Sequence, residues 1–184
     1  PQKTAERTAI ARKIRYFINQ IFPDFTRQEK SGFIGLPGFW LEKDGSARLW
    51  LNQDYYHPLM LIPYRNEKGL IEACQIRFMG AVRHSVRYMW LSTPDKSNGL
   101  SCGSPLHFAS FDDFNDRKPI LITEGALKAE TVQMFNRDFN VIASAGIGCS
   151  HDLLTSATQS RRVFIAFDTD YYENFFVARA MGKL

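Results

Sequence analysis

Three carboxylates stand where apolar runs end. Glu124 follows Ile120-Leu121-Ile122-Thr123, and Asp168 and Asp170 follow Val163-Phe164-Ile165-Ala166-Phe167. Alternate residues of an extended segment point the same way, so Asp168 and Asp170 can face one ion together. No lysine or arginine lies in the Glu124-Gly125 turn or between the two aspartates. Like charges would therefore crowd, and a hard divalent cation with oxygen ligands, Mg²⁺ or Mn²⁺, is the natural compensation. Between the acids in the chain, Ala143-Ser144-Ala145-Gly146-Ile147-Gly148 ends another apolar run. Small residues and glycine there let a backbone or a phosphate approach closely. The competing reading is structural: Glu124 caps a following helix, and the two aspartates cap the next.

The elements that must position these residues alternate. After Lys118 the pattern is strand over 119–123, helix over 126–135, strand over 140–144, short helix over 151–157, strand over 163–167 and helix over 175–181. Strands apolar on both faces and separated by helices imply a parallel sheet with right-handed crossovers. In such sheets ligands bind outside the carboxyl ends of the strands, where all three acids fall. The strands 119–123 and 163–167, both continuously apolar, are expected to be adjacent and central.

The preceding residues differ in texture. Over 31–118 glycines punctuate short aromatic and β-branched runs, a strand-and-turn pattern. The clearest strands are 59–64 and 70–78, joined by Arg65-Asn66-Glu67-Lys68-Gly69 with glycine where a positive φ is expected, followed by a strand over 87–91 and a loop over 97–104. Over 4–22 the residues Ile10, Ile14, Phe17, Ile18 and Ile21 recur at helical spacing among basic residues, and Pro23 stops the helix. Such a helix can lie on nucleic acid or simply pack with a solvated face. The expected organisation is thus an N-terminal amphipathic helix (1–30), a mainly β lobe (31–118) and an α/β domain (119–184).

Composition narrows the class. The chain has 184 residues, 45% hydrophobic and 23% charged, within the range of globular domains. No apolar run approaches the roughly 20 residues of a membrane-spanning helix, so a cytoplasmic location and no membrane partner are expected. Cys74, Cys102 and Cys149 are too few and scattered for a disulfide framework, and none forms a C-x-x-C pair suited to zinc. The net charge of +4 is uneven: residues 1–118 hold 17 Lys+Arg against 12 Asp+Glu, and residues 119–184 hold 6 against 7. A first segment that faces a polyanion and a second that gathers carboxylates fits this contrast. An excess this small is also what solubility alone requires.

The order of motifs resembles a known family. Ile122-Thr123-Glu124-Gly125 before a helix, a strand into glycine, then Phe167-Asp168-Thr169-Asp170, looks like the toprim domain of bacterial-type primases, topoisomerases and related nucleases. The stretch before it, with Leu61-Ile62-Pro63-Tyr64-Arg65, Gln75-Ile76-Arg77-Phe78 and Arg87-Tyr88-Met89-Trp90-Leu91-Ser92, resembles what precedes toprim in bacterial and phage primases. It is similar above all to toprim-bearing proteins of plasmids, phages and other mobile elements. The likeness covers about 57–182. It implies Mg²⁺ (or Mn²⁺) held by Glu124, Asp168 and Asp170, which are also the catalytic residues. It further implies contacts to nucleotide or nucleic acid by Arg65, Arg77, Arg87, Lys128, Gly146 and Gly148, and a DNA template, nucleoside triphosphates and a replicative helicase as partners.

Two departures stand out: primases have a further acid where this chain has Lys128, and a small residue and glycine where it has Tyr171-Tyr172-Glu173-Asn174. The start at Pro1 suggests a fragment, and the resemblance implies a further strand beyond Leu184. The resulting expectation is primase-like nucleotidyl transfer. The alternatives are a toprim nuclease that activates water with the same acids, and a degenerate module that only binds nucleic acid. No histidine has an obvious claim to a catalytic role, and His57, His84, His107 and His151 read as turn or core residues.

Overall fold

Apolar strands need cover on both faces, and β7 (Ile120–Glu124) and β8 (Asn140–Ser144) have it. In the computed structural model, which describes residues 9, 12, 13, 16, 35–44, 47–49, 59–80, 86–146, 148–168, 178, 179 and 182, a four-stranded sheet runs in the order β6-β8-β7-β9. Its strands are β6 (His107–Phe108), β7 (Ile120–Glu124), β8 (Asn140–Ser144) and β9 (Val163–Ala166), with helix α1 (Ala126–Phe135) between β7 and β8 and α2 (His151–Thr158) between β8 and β9. β7 pairs in parallel with β8 and with β9, and β6 pairs antiparallel with β8. The fold is mixed α/β with a mostly parallel sheet, as expected.

Period-2 alternation sends neighbouring side chains to opposite faces. Ile120 and Ile122 of β7, Ile142 of β8, Leu106 and Leu154 of α2 form one buried cluster. Val141 and Ala143 of β8, Ala109 and Ala129 of α1 form the other. The two helices therefore close opposite faces. α1 turns Ala126, Ala129 and Gln133 inward at helical spacing and leaves Met134 and Phe135 exposed. The amino-terminal ends of β7 and β8 are tied by polar groups: buried Asn140 accepts from Asn115 N–H at 2.9 Å and donates to Asn115 O at 2.6 Å. Arg161 donates to Asn115 O and Lys118 O at 2.9 and 2.8 Å, which fixes the entry to β9 beside them. This end of the sheet is a structural clamp.

β7 and β9 are adjacent and parallel as expected, but β9 is not central. Among the described residues it is the edge strand, with Val163, Phe164 and Ile165 36%, 38% and 42% exposed. Its pattern is that of a strand apolar on both faces, whereas no described strand pairs with its outer side.

The earlier part of the chain carries a hairpin of β1 (Phe39–Leu41) and β2 (Ala47–Leu49) and a sheet in the order β3-β4-β5. Those three strands are β3 (Leu59–Arg65), β4 (Ile71–Phe78) and β5 (Tyr88–Trp90), and β4 and β5 are antiparallel. The turn between β3 and β4 is built by Asn66, whose Oδ1 accepts from Lys68 and Leu70 N–H at 3.0 Å, and by Gly69 at φ 77°. Two compact units result: residues 1–61 with 75–102, and residues 62–74 with 103–184. Of the expected N-terminal helix, Ala9, Arg12, Lys13 and Tyr16 are helical, as are Ala178 and Arg179 of the last one; the rest of both lies outside the described residues. Among the described residues no helix is long and apolar enough to cross a membrane.

Candidate functional site

Glu124 is the last residue of β7, opposite Ser144 of β8 in the parallel register, and Asp168 follows β9 by two residues. Both lie at the carboxyl edge. The chain must turn abruptly from β7 into α1, and Gly125 makes that turn at φ 90° and ψ 143°, a conformation L side chains rarely adopt. Its N–H donates to Ser144 O at 2.8 Å, which holds the turn against β8. Gly125 is itself the N-cap of α1, so Glu124 is not the cap. Asp170 lies outside the described residues.

A cation already stands between the two acids. Lys128 extends from the first turn of α1 so that its Nζ is 2.5 Å from Asp168 Oδ1 and 3.9 Å from Glu124 Oε2. The expectation of uncompensated crowding at this edge is corrected accordingly. The compensating lysine is neither in the Glu-Gly turn nor between the aspartates but four residues after Glu124, where one helical turn brings it back over the strand end. The side chains of Lys128, Glu124 and Asp168 are 46%, 32% and 60% exposed, so water and ions reach all three.

This ammonium tests whether a divalent ion fits. Two hard oxygen donors from different strands reach one cationic point, which is what Mg²⁺ needs from a protein that supplies one or two carboxylates and leaves other positions to water and substrate phosphates. Among the described residues no group of three or more His, Cys, Asp and Glu is arranged to hold a metal. Glu124 and Asp168 are the carboxylates that could hold an ion at this edge.

Beside the acids, Gly146 follows β8 at φ 124°, and a Cβ built on Gly146 or Gly148 would meet nothing within 4 Å. Ser144 Oγ donates to Gly146 O at 3.0 Å, which folds this loop back onto the strand end. The sheet edge thus offers open backbone next to the carboxylates.

No family model matches the chain, and no curated protein matches it. Solved structures do. A DNA primase domain from Pseudomonas aeruginosa superposes with a TM-score of 0.55 at 15% identity, covering 87% of this chain and 48% of that one. The DnaG primase catalytic domain bound to ssDNA gives 0.52 at 16%, covering 89% and 50%. The Aquifex aeolicus primase (zinc binding and RNA polymerase domains) gives 0.50 at 18%, covering 78% and 33%.

The chain has the fold of DnaG-type primase catalytic domains. It spans half or less of the length of these primase structures. Within this primase-type fold the three arginines singled out from sequence separate. Arg65, at the end of β3, donates to Glu130 Oε1 at 2.5 Å and lies 5.6 Å from the Phe111 ring centroid. Arg77 and Arg87 belong to the other unit, Arg77 over the Tyr88 ring at 5.6 Å and Arg87 exposed just before β5.

Sequence reasoning missed the group that holds Arg65. His107 is buried in β6; its Nδ1 accepts from the Arg65 N–H at 3.1 Å, which leaves the proton of the neutral ring on Nε2, 3.0 Å from Glu130 Oε1. One carboxylate oxygen thus receives both the guanidinium and the imidazole. Burial pushes the His107 pKa below its ordinary value, against the pull of Glu130, which raises it. Lys128 and Glu130, two residues apart on α1, point about 200° apart around the helix, so the acid-bridging lysine and the arginine-holding glutamate serve different sides of α1.

Proposed function

We propose that this chain is the core of a primase-like nucleotidyltransferase, which joins nucleotides on a DNA template with Mg²⁺ in the replication of a plasmid, phage or other mobile element. The observation that supports it is the convergence of Glu124 and Asp168 on one cationic point at the carboxyl edge of a primase-type sheet. Glu124, Asp168 and, by the spacing of the sequence, Asp170 would hold the ion. When bound it would neutralise triphosphate oxygens and favour an attacking 3′-hydroxyl. The residues' own part is to fix two carboxylates on neighbouring parallel strands, so that their separation is set by the sheet. Gly146 and Gly148 leave room for a phosphate against backbone, and Lys128 supplies a cation beside it. Arg77 and Arg87 would bind template phosphates on their own unit, since guanidinium keeps its charge and grips phosphate with two donors. The DnaG domain bound to ssDNA supports a single-stranded template, and a replicative helicase is the partner that such an enzyme would need.

A second reading is favoured by one observation. The ammonium of Lys128 offsets one of the two carboxylate charges without any metal, as a module that binds nucleic acid but does not catalyse would require. One assay separates these readings and the nuclease alternative. Wild type and Asp168→Asn are incubated with single-stranded DNA, nucleoside triphosphates and Mg²⁺, and both new and degraded strands are resolved. Primer synthesis by wild type that vanishes in Asp168→Asn is the expected result. Template binding with neither synthesis nor cleavage would leave the binding module, and cleavage lost in Asp168→Asn would leave the nuclease.

A further inference from the structure

Lys128 is in an unfavourable place for a cation. It occupies the third position of α1, where the exposed N–H groups of the first turn carry partial positive charge and favour acidic side chains. Gly125 caps this helix without a side chain, and no acid lies in the first turn to offset the charge. What holds the ammonium there is external to the helix turn: Asp168 at 2.5 Å and Glu124 at 3.9 Å, contributed by the ends of β9 and β7. Neither carboxylate is buried enough to be closed off from ions, so this contact is reversible.

We propose that Lys128 is a tethered counter-cation of the acidic edge. It holds Glu124 and Asp168 together when no metal is present, and it competes with a divalent ion for the same oxygens. This rests on the reading that these carboxylates bind the ion, and it makes Lys128 a positioning residue that sets how tightly the free ion is taken. A divalent cation at the point that Nζ occupies must displace the ammonium, which loses both partners and remains near a double positive charge. Removal of the lysine removes this competitor and the positive charge it sets between Glu124 and Asp168.

The test uses Mn²⁺ as the probe, followed by its electron paramagnetic resonance signal, on the full chain as wild type, Lys128→Met, Lys128→Arg and Asp168→Asn. Lys128→Met, which keeps the length and loses the charge, should bind free Mn²⁺ roughly tenfold more tightly than wild type, the order expected from removing one nearby unit charge at a solvated site. Lys128→Arg should stay close to wild type, and Asp168→Asn should lose the binding. Thermal melting supplies a second readout that is independent of activity. In EDTA Lys128→Met should melt no higher than wild type, and added Mn²⁺ should raise its melting temperature by more. If Lys128→Met binds Mn²⁺ no more tightly than wild type while Asp168→Asn abolishes binding, the competition is overturned and the metal reading stands. If Asp168→Asn binds as wild type does, or if no form binds Mn²⁺, both are overturned.

Discussion

A buried imidazole between an arginine and a glutamate has a defined cost in acid. The unfolded chain protonates His107 at about pH 6.5, whereas the folded protein holds its pKa lower, chiefly because burial penalises the charged ring. Below pH 6.5 the unfolded state therefore binds a proton that the folded state refuses, and stability falls as pH drops from there toward the folded pKa. Above pH 6.5 the contribution of His107 is fully present. Denaturant unfolding between pH 7 and pH 5 should show a decline of at most about 1.4 kcal/mol per pH unit from this one group. The slope should flatten in His107→Gln, and an equal slope in that variant would contradict the assignment. None of this network was legible in the sequence. Arg65, His107 and Glu130 are 42 and 23 residues apart in succession, and no spacing rule joins them. Lys128 was visible only as a departure from a motif, because its meaning depends on the helical turn that brings it back over Glu124.

At the scale of elements, the apolar runs were read well, the three-residue β5 among them, and β1, β2 and β6 were not. β7, α1, β8 and α2 fall within a residue of the expected bounds because each is a continuous apolar or 3.6-period segment ended by glycine or a polar cluster. β1, β2 and β6 have two or three residues each, too few for any period to register. The edge position of β9 among the described strands was also hidden, since an apolar run does not say on how many sides it is paired. The element that matters most for the site is the turn from β7 into α1. Gly125→Ala should destabilise the fold by about 1–3 kcal/mol, because φ 90° is strained for alanine even though a Cβ there meets nothing within 4 Å. Denaturant midpoints check this. A variant as stable as wild type would mean that the turn relaxes and that the position of Glu124 is less fixed than the sheet suggests.

For the whole molecule, a primase-type α/β fold places Glu124 and Asp168 together at one sheet edge, and the basic excess of the chain falls in residues 1–118. The order of motifs made this fold legible before any coordinates, and the carboxyl-edge rule for parallel sheets put Glu124 and Asp168 together. The central claim is that these carboxylates hold a divalent ion, and thermal melting of wild type and Asp168→Ala with and without Mg²⁺ tests it most directly. A ligand that binds only the folded state stabilises it by mass action, so at Mg²⁺ about a hundred times its dissociation constant wild type should gain about 2.7 kcal/mol. Asp168→Ala should gain nothing and should be as stable as wild type without the ion, its exposed partner Lys128 keeping Glu124. A Mg²⁺-dependent rise that persists undiminished in Asp168→Ala would put the ion elsewhere, and no rise in wild type at millimolar Mg²⁺ would contradict the claim outright.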